Sequence, residues 1–218
     1  MLVVEDNYRQ KGLRRKLIIE LQNKGILDEN VLTAISKVPR HLFLDKAFEE
    51  WAYKDNAFPI DCDQTISQPY TVAFQSELLQ IKPKDKVLEI GLGSGYQACV
   101  LHEMGAKVYS IERFKKLHDL TTTRLKNIGY SGIRTFYGDG HLGLPRFAPF
   151  DKIIITAATE EVPEELLKQL NFGGIMVFPY GNTEYTQTMV QLIKDETGKI
   201  HRKQFGDFRF VPMLKGKV

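Results

Sequence analysis

The 218-residue chain is long enough for one domain burying roughly 70% of the surface its unfolded form would expose, so no covalent or metal staple is required. Its 43% hydrophobic and 26% charged residues exclude a disordered chain, and a net charge of +3 excludes an obvious nucleic-acid footprint. Two distant cysteines, Cys62 and Cys99, exclude a disulfide framework or zinc cluster, and no run approaches the roughly 20 apolar residues of a membrane span. With acidic residues among its first six and no apolar leader core, the chain is expected to be cytoplasmic.

Taken in chain order, Leu13, Leu17, Ile18 and Leu21 recur at helical spacing and predict a helix over Tyr8–Gln22, stopped by Gly25. Arg14, Arg15 and Lys16 then read as a solvated face. Asp28 caps a second predicted helix, Glu29–Lys37, which Pro39 ends. Ala52–Tyr70 fits neither period and is expected to be an ordered loop, followed by a helix over Thr71–Gln80.

Beyond Pro83 apolar runs alternate with amphipathic segments, the pattern of an α/β sheet with crossover helices. The predicted strands are Lys86–Ile90, Lys107–Ile111, Ile133–Tyr137, Lys152–Thr156 and Gly174–Pro179, with helices over Gly95–Met104, Phe114–Ile128 and Glu164–Leu170. Thr188–Ile193 and Phe205–Val211 flank the turn-like Asp195–Gly198 and predict a hairpin at one sheet edge.

The first predicted sheet strand runs into Gly91, Gly93 and Gly95 just before a helix, which removes side chains where the backbone turns and approaches a ligand. A dinucleotide fingerprint would carry its third glycine where Tyr96 stands, which weakens a nicotinamide reading. Glu112 follows Gly91 by about 20 residues, the distance at which an acid meets ribose hydroxyls; alternatively it opens the next helix. Gly138-Asp139-Gly140 puts another acid on the same sheet edge, suited either to an adenine amine or to a local Asx turn. His41 reads as a loop contact and His102 as an outward helical side chain. His118 and His201 have no partner at metal spacing, Cys99 reads as a core residue, and Trp51 and Tyr53 read as loop anchors.

The alternate-glycine loop, with Glu89 two residues ahead of it, resembles motif I of S-adenosylmethionine-dependent methyltransferases. With Val38-Pro-Arg-His-Leu-Phe43, Gln64-Thr-Ile-Ser-Gln-Pro-Tyr70, Gly138-Asp-Gly140, Ala148-Pro-Phe-Asp151, Thr156-Ala-Ala158 and Phe208-Arg-Phe-Val-Pro212, the chain closely resembles the protein-L-isoaspartate O-methyltransferase family from about Lys37 to Pro212. The resemblance implies a single domain with an α/β, Rossmann-like methyltransferase sheet, mostly parallel with an antiparallel C-terminal edge. Residues 1–82 would supply N-terminal helices and the active-site loop, and 83–218 the sheet and hairpin. It implies methyl transfer from S-adenosylmethionine, leaving S-adenosylhomocysteine, to the free carboxyl of isoaspartyl residues in damaged peptides and proteins. A monomer with no nucleic-acid or membrane partner and no metal is expected.

Carried over residue by residue, the resemblance puts Ser67 in the catalytic role. It assigns Thr65, Ile66, Glu89, Gly91, Gly93, Ser94, Gly95, Glu112, Asp139 and Gly140 to the cofactor, and Ser67, Thr156, Ala157, Ala158, Arg209, Val211 and Pro212 to the substrate. Leu92 stands where the family frequently has threonine or serine. Tyr180 replaces a small aliphatic residue and is expected at the pocket edge. The rival readings are methylation of another small carboxylate and a noncatalytic cofactor sensor.

Overall fold

The computed structural model describes residues 6–218; the reading of the first residues as leader-free therefore lies largely outside the described residues. Helix α1 (Tyr8–Asn23) starts on Asn7, whose side chain accepts from the Gln10 amide at 3.0 Å. Its inward face is Gln10, Arg14, Leu17 and Leu21, so Arg14 is not solvated as expected. The guanidinium grips Asp6 through Nη1 at 3.1 Å and Nη2 at 2.8 Å, and also reaches the Ser36 carbonyl and the Tyr53 hydroxyl. A charge at a core-facing position is retained because its donors find such partners. Helix α2 (Glu29–Lys37) is capped by Asp28 as predicted, and 3-10 turns follow at Arg40–Phe43 and Lys46–Trp51.

The expected loop proves to be a tight hairpin. Strand β1 (Phe58–Pro59) pairs antiparallel with β2 (Thr65–Ile66) around a turn in which Cys62 and Asp63 take left-handed conformations. Helix α3 (Pro69–Leu79) begins two residues earlier than predicted because Pro69 fits the first helical turn, where no amide hydrogen bond is lost.

The remaining elements alternate: β3 (Lys86–Ile90), α4 (Tyr96–Glu103), β4 (Lys107–Glu112), α5 (Lys115–Asn127), β5 (Arg134–Tyr137), β6 (Phe150–Ile155), the short α6 (Glu164–Lys168), β7 (Leu170–Tyr180), β8 (Gln187–Lys194) and β9 (Ile200–Phe208). They form a seven-stranded sheet in the order β5-β4-β3-β6-β7-β8-β9, parallel as far as β7, with the β8–β9 hairpin antiparallel to it and to itself. Strand β7 starts before the predicted Gly174, because Leu170 already pairs with Phe150 ahead of a register shift.

The largest displacement is β9, expected at Phe205–Val211. Asp195 accepts from the amides of Thr197 and Lys199, so the chain re-enters the sheet directly after the turn, through the exposed, polar His201–Gln204. The aromatic run that suggested the later strand instead packs onto α3, where Phe74 stacks on Phe208 and meets Phe205 edge-on.

The central strands are buried on both faces, as parallel strands covered on both sides must be. Alternate residues feed two cores. Val87, Val108, Ile154 and Val177 join Leu17, Val31, Leu79 and Tyr96 on one side; Leu88, Tyr109, Ile153 and Met176 join Leu166 on the other. Each such aliphatic side chain contributes about 1.5–3 kcal/mol. Strand order reverses between β3 and β6, which opens a crevice at their carboxyl ends.

Candidate active site

The loops leaving β3 and β6 meet across that crevice. Gly91, at φ +97°, would place a Cβ 2.5 Å from Thr156 Oγ1, and that hydroxyl donates back toward the Ile90 and Gly91 carbonyls at 3.0 and 2.9 Å. Gly93 holds φ +52° and gives its amide to Glu112 Oε2 at 2.9 Å, while Thr121 Oγ1 donates to its carbonyl at 2.7 Å. Glu112 ends β4, is 4% exposed, and accepts from the Phe114 amide at 3.0 Å with its other oxygen. Each carboxylate oxygen keeps a lone pair for another donor.

A cleft lies over this loop. Its lining includes Thr65, Ile66, Ser67, Gly91, Gly93, Ser94, Glu112, Gly140, Thr156, Ala157, Val211 and Pro212. Gly140 is required there because a Cβ would meet Ile90 Cγ2 at 2.4 Å. A second cleft runs beside the first, lined by Thr65, Ser67, Tyr70, Thr156, Thr186, Asp207, Arg209 and Val211 among others. Thr65, Ser67, Thr156 and Val211 line both, so the clefts share one boundary.

Ser67 stands on that boundary. The β1–β2 hairpin carries it there, and Asp61 at the hairpin turn pairs with Lys116 of α5 at 2.8 Å. The Ser67 side chain is half-buried, and its hydroxyl makes no hydrogen bond to another described residue.

Four expected site residues line neither cleft. Glu89 is wholly buried and accepts from the Ser110 hydroxyl of β4; burial pushes its carboxyl up to about 8. Gly95 is a packing glycine, since a Cβ would lie 2.9 Å from Thr121 Cγ2. Ala158 bonds through its backbone to Val211 and Met213. Asp139 accepts from the His141 amide and, at 2.8 Å, from the Gly216 amide. Burial opposes the Asp139 charge, but those amides and the His141 ring outweigh it and hold the carboxyl below its ordinary value. Ala157 and Pro212, expected at the substrate, line the first cleft only.

Tyr180 lies away from both clefts, beneath the Arg202 guanidinium at 4.5 Å. His102 packs half-buried against Tyr130 rather than pointing outward. Tyr53 and His41 do anchor the loop, hydroxyl to Nδ1 at 2.8 Å, and Cys99 is core.

The structure adds residues that sequence reasoning missed. Gln64, Phe114, Met213 and Leu214 join the first cleft, the last two because the Asp139–Gly216 bond and Arg113 fold the C-terminal segment back. No local spacing signals that return, since Gly216 and Asp139 lie far apart in sequence.

The family model for Protein-L-isoaspartate(D-aspartate) O-methyltransferase matches residues 12–218. The chain belongs to this family. It is 53% identical over 214 residues to the Protein-L-isoaspartate O-methyltransferase of Christiangramia forsetii, covering 98% of this chain and 100% of that one. The protein of the same name from Cytophaga hutchinsonii is 54% identical over 211 residues, 97% of this chain and 95% of its own. Among solved structures, a protein-L-isoaspartate O-methyltransferase superposes with a TM-score of 0.82 at 27% identity over 91% of this chain; the match spans 65% of that longer chain. A Plasmodium falciparum structure in complex with S-adenosyl-L-homocysteine, described as a putative protein-L-isoaspartate O-methyltransferase, shares the fold with a TM-score of 0.80 at 23% identity, over 93% of this chain and 99% of its own. Membership in the family and the two adjoining clefts rest on independent observations.

Proposed function

We propose that this chain is a protein-L-isoaspartate O-methyltransferase that methylates the free carboxyl of isoaspartyl residues in damaged proteins, starting their repair through a succinimide. The observation that carries the reading is the shared boundary of two clefts at Thr65, Ser67, Thr156 and Val211. A methyl donor in the first and a carboxylate acceptor in the second would meet there.

The first cleft suits S-adenosylmethionine. Its wall needs glycine at Gly91 and Gly140, where any Cβ would collide, and Glu112 offers free lone pairs for ribose hydroxyls. Thr65, Ile66, Gly93 and Ser94 complete the wall. When bound, the cofactor supplies an electrophilic methyl group on a sulfonium. Glu89, Gly95 and Asp139 act behind that wall, fixing the loop, the helix and the C-terminal segment that form it.

The second cleft takes the peptide, with Arg209 and Asp207 as its charged lining and Ala157 and Pro212 across the boundary. An α-carboxyl, with a pKa of about 3.5, is already an anion at neutral pH, so no general base is needed. The residues hold acceptor and donor in line, a positioning effect that supplies several kcal/mol. Ser67 Oγ donates to the acceptor carboxylate and keeps one oxygen aimed across the boundary.

Residues 1–82 and 83–218 work as one domain, supported by a core that runs from Leu17 of α1 to Val177 of β7. The chain is proposed to act as a monomer. Near-neutral charge and unpaired cysteines support a cytoplasmic protein without nucleic-acid or membrane partners. No helix among the described residues is long and apolar enough to cross a membrane.

Labelled methyl transfer to paired peptides carrying isoaspartate or aspartate at one site tests the reading. Labelling of the isoaspartyl peptide alone is expected, with Ser67→Ala lowering kcat/KM roughly ten-fold or more, as for loss of one hydrogen bond to a charged group. Labelling of neither peptide would refute it, as would equal labelling of both.

A further inference from the structure

Gln187 opens β8 opposite Phe208, the last residue of β9, and is 1% exposed. Its carboxamide bonds in two directions. Nε2 donates to the Asn182 carbonyl at 2.9 Å and the Tyr185 carbonyl at 2.6 Å, in the turn between β7 and β8. Oε1 accepts from the Phe210 amide at 2.8 Å. The strand ladder ends at Phe208, and the side chain supplies the acceptor that a continuing strand would have given Phe210.

Both tied segments border the second cleft. Phe210 lines it between Arg209 and Val211, and Val211 is also one of the four boundary residues; Thr186, at the end of the turn, lines its other rim. Within the turn, Glu184 bonds to Asn182 Oδ1 at 2.8 Å and Tyr185 to the Asn182 carbonyl at 3.3 Å. Those bonds hold the turn's shape, whereas Gln187 fixes its place relative to the Phe208–Val211 segment.

We propose that Gln187 is a positioning residue for the acceptor peptide, setting the width of the second cleft by clasping the turn at 182–186 to the segment at 209–211. The proposal rests on the reading of that cleft as the peptide groove. Gln187 lines neither cleft, so it acts through Thr186, Arg209 and Val211 and touches neither methyl donor nor acceptor.

The test compares the parent protein with Gln187→Met, which keeps length and loses all three bonds, and with Gln187→Glu, which keeps an acceptor for Phe210 and loses both donors to the turn. Backbone hydrogen exchange at Phe210 is measured beside KM and kcat for an isoaspartyl peptide and Kd for S-adenosylmethionine. For Gln187→Met, faster exchange at Phe210 and a KM raised roughly ten-fold are expected, with kcat and cofactor Kd within two-fold of the parent. Gln187→Glu is expected to raise KM while protecting Phe210 better, and it carries the test if the methionine variant does not fold. Unchanged exchange in Gln187→Met would overturn the clasp, and faster exchange with unchanged KM would overturn its role in peptide binding. If the parent itself labels no isoaspartyl peptide, the functional reading fails and peptide positioning fails with it, while the exchange data still judge the clasp.

Discussion

Glu89 makes stability depend on pH in a direction opposite to that of most carboxylates. The side chain lies wholly inside the sheet, with Oε2 accepting from Ser110 and Oε1 without a hydrogen-bond partner among the described residues. Burial pushes its carboxyl from the ordinary 4.5 up to about 8; the Ser110 bond opposes the shift and the nearby Glu112 charge adds to it. Between those values the folded chain keeps a proton that the unfolded chain has lost. Folded protein therefore binds more protons, and stability falls as pH rises. The contribution is fully present below about pH 4.5 and is lost as pH climbs through about 8.

Glu89→Gln keeps an oxygen for Ser110 and cannot ionise, so it removes this dependence. Each unit of pH is worth about 1.4 kcal/mol while only the folded state holds the proton. From pH 5.5 to 7.5 the variant should therefore gain about 2–3 kcal/mol relative to the parent. Urea unfolding of both proteins without cofactor, followed by circular dichroism at several pH values, measures the difference. A difference constant to within about 0.5 kcal/mol across that range would show that Glu89 ionises normally, and the argument from burial would fail.

Two further perturbations test the site and its support. Glu112→Gln cannot accept from both the Gly93 and Phe114 amides with two oxygens, so cofactor binding should weaken roughly ten- to hundred-fold in calorimetry with the fold intact; unchanged affinity would remove Glu112 from the cofactor site. Arg14→Met strands Asp6, whose carboxyl is held below its ordinary value chiefly by the Arg14 hydrogen bond. The ion pair is only partly shielded, at 8% and 23% side-chain exposure, so about 2–3 kcal/mol should be lost from urea unfolding. A loss near zero would return Arg14 to the solvated face that its sequence neighbours suggest.

The parts of the fold legible in the sequence are those where one interaction dominates. Parallel strands buried on both faces have little choice but apolar runs, so Lys86–Ile90 and the core of Lys152–Thr156 stood out. Asp28 before an apolar period is its own cap. The glycine loop and Glu112 were legible because local backbone geometry and the β3–β4 register join them: Ile90 pairs with Ile111, bringing Glu112 beside Gly93. What stayed hidden depended on distant partners. Polar His201–Gln204 becomes a strand because an edge asks for backbone pairing and not for burial. Arg14 turns inward because Asp6, Ser36 and Tyr53 converge on it, and Asp139 meets the C-terminal segment instead of standing at a cleft wall. In each case the side chain's neighbour is set by tertiary folding, which periodicity cannot report.

The chemistry of the cleft boundary follows from which residues the fold leaves there. Thr65, Ser67, Thr156 and Val211 include hydroxyls and an isopropyl group but nothing that titrates near neutral pH. A reaction requiring proton abstraction would need a base within hydrogen-bond reach of its substrate, and the acids that line the clefts, Glu112 and Asp207, lie off this boundary. Glu112 is further committed to two backbone amides that fix the glycine loop. An acceptor that arrives already ionised removes the need for such a base, and what it then requires is a short path and a fixed angle. The reversal of strand order opens β3 from β6, and the N-terminal hairpin leads into Ser67 at the edge shared by the two clefts. Neither half of the chain forms this boundary alone: Thr65 and Ser67 come from the segment before the sheet, Thr156 and Val211 from strand ends within and after it.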